Sequence, residues 1–110
     1  MTSHVVDDVV RRASRVRDAG RLGAFKRAVH EFERVLGEIP DESAGSLSAD
    51  GAQALQLAAE GVIDSIEERV ADAMKAADAQ ELVGDVYEIR RLLEEVSRWR
   101  QHYTLTTRCV

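Results

Sequence analysis

The sequence predicts an all-α fold, a four-helix bundle made of two antiparallel helical hairpins, with helices at about 3–19, 21–38, 49–77 and 79–103. Three observations carry this. Apolar residues recur at steps of three and four along most of the chain, the period of a helix with one buried face. Ala, Leu, Glu and Arg are abundant, while aromatic residues are 5% and proline occurs once, a balance that favours helix over strand. One run, PDESAGSLSADG at residues 40–51, has the Pro, Gly, Ser and Asp content of a loop and divides the chain into halves. With 110 residues and 45% apolar side chains, the chain is expected to form a single helical domain around one core, with a loop at 40–48 and a loose tail at 104–110.

The first helix starts at Ser3 as N-cap, with Asp7 and Asp8 early and Arg15 and Arg17 late, the order the helix dipole favours. Its stripe is Val6, Val9, Ala13 and Val16, and Gly20 is its stop. The second helix starts near Arg21 and carries Leu22, Phe25, Val29, Phe32, Leu36 and Ile39 in alternating steps of three and four, ending before Pro40. So few residues separate these two helices that they must be antiparallel neighbours.

The third helix, with Ser48 as N-cap, lines one face with Leu55, Val62, Ile66, Val70, Ala73 and Ala77. It is rich in alanine, and Gly61 inside it marks a candidate kink. The fourth opens on Asp78-Ala-Gln-Glu81, the spacing of a capping box. Its stripe is Leu82, Val86, Ile89, Leu93 and Val96, widened by Val83, Leu92 and Trp99. The second pair of helices is longer than the first by around 10 Å at 1.5 Å per residue, so part of its apolar stripe is expected to lie uncovered.

Charge is unevenly spread. Residues 1–30 carry net +4, residues 31–88 net −12 and residues 89–110 net +3. Basic ends beside an acidic middle predict ion pairing within the bundle, and the acidic middle argues against nucleic acid as a partner. No apolar run approaches the length of a transmembrane helix, and charges interrupt the N-terminus where an export signal needs its apolar run. The lone Cys109 has no disulfide partner within the chain, which fits a cytoplasmic protein.

Gly23, Phe25, Ala28, Phe32, Val35 and Pro40 fall in the order of the second helix of a tetratricopeptide (TPR) repeat, which residues 23–40 therefore resemble. The upstream helix offers Arg12, Arg15, Val16 and Ala19 where the repeat has large apolar and glycine positions, and no second repeat begins after Pro40. The resemblance implies a protein-binding hairpin.

Glu68 and Asp72, then Glu81 and Asp85, form two acidic pairs one turn apart. The stretch 67–89 is similar to the helical MazG- and dUTPase-like nucleotide pyrophosphohydrolases, in which paired acids on two helices bind magnesium. The spacing here is one residue longer than that family's. That resemblance implies an alternative function, magnesium-dependent nucleotide pyrophosphohydrolysis. Against it stands a plain solvated acidic face.

Other chemistry finds little support. His4, His30 and His102 each lack a second histidine or a cysteine at ligand spacing, so no metal or cofactor is expected. No glycine-rich phosphate loop or nucleophile elbow occurs. Trp99 and Tyr103, one turn apart among Arg98, Arg100 and His102, are the candidate partner-binding residues. The function expected from the sequence is non-catalytic protein–protein contact, with self-association into a homodimer, and a nucleic-acid-binding bundle as a second alternative.

Overall fold

The computed structural model describes residues 3–42, 49–72 and 75–108, and the side chains of residues 6–39, 49–72 and 75–98. Four helices run in order: α1 (Ser3–Asp18), α2 (Leu22–Glu42), α3 (Ala49–Ala71) and α4 (Ala76–Arg108). The all-α bundle read from the sequence is what the chain forms.

Helix α1 packs on α2 and α3, and α4 packs on the same two, so α1/α4 and α2/α3 stand across the diagonals. Short turns make the helices antiparallel within each hairpin, and side chains show that facing helices of the two hairpins are parallel. Arg69, late in α3, donates to the carbonyls of Ala19 and Gly20 just past α1, at 2.5 and 2.9 Å. Lys26, early in α2, donates to Asp78 and Glu81 early in α4, at 2.7 and 3.0 Å. Consecutive helices α2 and α3 are therefore diagonal partners, not neighbours.

The predicted stripes meet in one core. Val9, Val16, Phe25, Val29, Phe32, Leu36, Ile39, Leu55, Val62, Ile66, Leu82 and Ile89 are all fully buried. Each such side chain contributes about 1.5–3 kcal/mol by leaving water. The stretch from Gly23 to Ile39 thus packs against its own chain. Arg69 closes one end: its guanidinium lies 4.5 Å from the Phe25 ring centroid while it caps the carbonyls beyond α1.

Several boundaries differ from expectation. Helix α2 does not stop before Pro40 but runs to Glu42. Proline removes one donor and crowds one carbonyl of the preceding turn, and so near a helix end that disruption is local. Helix α3 stops at Ala71, not Ala77. Its end is level with the end of α1, as Arg69 shows, and Ala71, Asp72, Ala76 and Ala77 are exposed, so a longer α3 would have had nothing to bury. The backbone tightens there, with the Asp72 N–H on the Arg69 carbonyl at 3.2 Å.

Helix α4 begins at Ala76, with the Lys75 carbonyl accepting from the Ala79 N–H at 3.0 Å, so Asp78 lies within the first turn and is not the N-cap of a capping box. It also runs to Arg108, through residues whose lack of period predicted a loose tail. An established helix gains one hydrogen bond per residue it adds, whatever the pattern. Helix α3 passes through Gly61 without interruption. Of the predicted loop, residues 40–42 belong to α2, and residues 43–48, with the Ser48 cap, lie outside the described residues.

Candidate functional site

The four acids singled out in the sequence do not converge. Glu68 and Asp72 are exposed at the end of α3. Glu81 shares Lys26 with Asp78, and this pair of hydrogen bonds raises the lysine's pKa. Asp85 turns instead toward α2. With one acid tied to a lysine and two at solvent, no shared magnesium site forms from Glu68, Asp72, Glu81 and Asp85. The side chains of Trp99 and Tyr103 lie outside the described residues.

Asp85 meets two residues the sequence did not connect to it. His30 and Glu33 lie one turn apart on α2, and one ligand-type atom from each of His30, Glu33 and Asp85 falls within 4.8 Å of the others. His30 Nε2 is 3.6 Å from Asp85 Oδ1. The Asp85 side chain is only 11% exposed, whereas His30 is 54% exposed and opens the cluster to solvent. Glu33 Oε1 and Asp85 Oδ2 are buried, and no donor reaches either. Two ionised carboxylates are both acceptors, so they can bond each other only through a shared proton. Burial first, then the Asp85 carboxyl, then the charge of Glu88, push the Glu33 pKa up to about 8.

A second feature lies on the opposite hairpin edge. Helices α1 and α3 approach through small residues: Ala13 on one side, Ala54, Ala58 and Gly61 on the other. These leave a groove of about 380 Å³, completed by Val10, Arg17 and Leu57. Val10 is 43% exposed and Leu57 60%, large apolar side chains side by side on the surface. The stripe positions of α3 and α4 from Leu55 to Ile66 and Leu82 to Val96 are by contrast largely buried, although Val83 and Tyr87, one turn apart on α4, are exposed at 41% and 69%. Sequence reasoning missed the groove because Val10 and Leu57 fall off both predicted stripes.

The basic ends and acidic middle pair as expected. Arg12 meets Glu31, Lys26 meets Asp78 and Glu81, and Arg90 lies 3.8 Å from Glu67. No helix among the described residues is long and apolar enough to cross a membrane. Comparison with protein-family models, with curated proteins and with solved structures finds no match to this chain.

Proposed function

We propose that this chain is a non-catalytic interaction protein that self-associates into a homodimer through the α1/α3 face. The observation that supports this reading is the exposure of Leu57 and Val10 together at the small-residue groove. Charge favours a second copy as the occupant. On α1, Arg15 and Arg17 are exposed along with Asp7 and Asp18, and Arg11 is paired with Asp8, while Asp50, Glu60, Asp64 and Glu68 are exposed on α3. A twofold axis parallel to the helices sets the α1 of each copy against the α3 of the other, so the arginines of α1 meet the acids of α3 twice.

Sedimentation velocity at about 100 μM reveals association worth roughly 5.5 kcal/mol or more. The expected result is a dimer for the natural chain and a monomer for Leu57→Glu, with unchanged circular dichroism because Leu57 is not in the core. A natural chain that stays monomeric, or a Leu57→Glu variant that still dimerises, would defeat the reading.

A further inference from the structure

We propose that His30, Glu33 and Asp85 bind one divalent transition-metal ion of the zinc class, with the imidazole and the two carboxylates as ligands and water completing the shell. This goes beyond self-association and sits at the α2/α4 contact, away from the α1/α3 groove.

The donor set selects the ion. One imidazole nitrogen with two carboxylate oxygens suits Zn2+ and its neighbours, whereas Mg2+ and Ca2+ favour oxygen ligands alone. The geometry is near what such an ion needs. Bonds of about 2.1 Å in a tetrahedron place ligand atoms about 3.4 Å apart. His30 Nε2 and Asp85 Oδ1 are already 3.6 Å apart, and all three ligand atoms lie within 4.8 Å, so small side-chain rotations close the site. The backbones beneath are held by buried neighbours: Val29 and Phe32 on α2, Leu82, Val86 and Ile89 on α4.

A second, independent observation points the same way. Glu33 Oε1 and Asp85 Oδ2 are buried without a donor, in an Asp85 side chain only 11% exposed. The cations around them are committed elsewhere. Lys26 holds Asp78 and Glu81, Arg91 holds Glu88 and Glu95, and Arg34 lies between Glu31 and Glu38. Two abutting carboxylates with no ammonium or guanidinium between them are the unusual feature of this interface, and a dication resolves it. Because His30 and Glu33 belong to the first hairpin and Asp85 to the second, the ion would tie the two hairpins together.

The test is titration calorimetry with Zn2+ on the full chain carrying Cys109→Ser, which removes a competing thiol, supported by the visible absorption of bound Co2+. Expected are one ion per chain, a raised melting temperature, and no competition from millimolar Mg2+. His30→Gln and Asp85→Asn should each weaken Zn2+ binding by about 100-fold or more, at or beyond the upper end of losses seen even for residues that only support ligands. His30 is largely exposed, so its variant tests binding without endangering the fold. Absence of saturable binding, equal binding of Mg2+, or natural affinity in either variant overturns the proposal.

Discussion

Glu33 sits half-buried against a second acid, Asp85, a departure from the rule that charges stay solvated. Its neighbours are His30 on its own helix and, across the interface, Asp85 and the Arg91-bound Glu88. With the metal-free protein kept in chelator, the consequence is a pH dependence whose sign is fixed. The folded-state pKa is raised from 4.5 to about 8, so between those values the native chain holds a proton that the unfolded chain has lost. Stability is therefore full below about pH 4.5 and falls as pH rises toward 8. Because Glu33 is only half-buried, solvent reduces the effect to on the order of 1–2 kcal/mol. Glu33→Gln, which keeps the shape and drops the charge, should raise the melting temperature at pH 9 by roughly 5 °C and change it little at pH 4. Equal shifts at both pH values would show that burial of charge is not the cause. None of this was legible in the sequence. His30 and Glu33 flank Phe32 as ordinary solvent-side residues would, and their link to Asp85 exists only because α2 and α4 lie parallel. A periodicity that locates each stripe says nothing about which flanks of two stripes will touch.

At the scale of the helix, the glycines within α3 and α4 make a test of what packing requires. A Cβ built on Gly84 meets nothing within 4 Å, and the same holds for Gly61. Both sit inside helices at exposed positions. Gly84→Ala should therefore stabilise the fold by about 1 kcal/mol in urea denaturation, the difference in helix propensity. Gly61→Ala should gain about as much, but it adds a methyl to the floor of the α1/α3 groove, so it should also shift dimer dissociation where Gly84→Ala does not. A loss of stability in either variant would mean that the backbone there is not ordinary helix. Helix existence and facing were readable from sequence: Val6, Val9, Ala13 and Val16 in α1 and Phe25 through Ile39 in α2 are buried as the period requires. Helix ends were less readable. Pro40, the aperiodic C-terminal residues and the end of α3 were misjudged because termination depends on where neighbouring helices stop supplying cover, and on the low cost of extending a helix already formed. In α4, Leu92 is buried and Leu93 only partly so, and Leu92 lies beside Gly37 of α2.

For the molecule as a whole, the diagonal placement of α2 and α3 decides how it should unfold. Each helix packs on one partner in its own hairpin and one in the other, so neither hairpin can bury its apolar face alone. The contacts that orient the hairpins also cross between them: Arg69 on the carbonyls beyond α1, Lys26 on Asp78 and Glu81, and Gly37, where an added Cβ would lie 3.7 Å from Leu92. The surface ion pairs among these add little stability singly, and what they fix is the parallel pairing of helices. One cooperative transition is expected, with circular dichroism and calorimetry coincident and an enthalpy of about 70–80 kcal/mol near 60 °C. Two resolved transitions would mean that the hairpins are separate folding units and that the core is not shared. The proposed self-association would add a second signature to the same scan. A dimer binds only folded chains, so the melting temperature of the natural protein should rise with protein concentration, while that of Leu57→Glu should not. If the enthalpy per chain is nonetheless the same for both, the apolar side chain at position 57 serves the contact between copies and the bundle holds together without it.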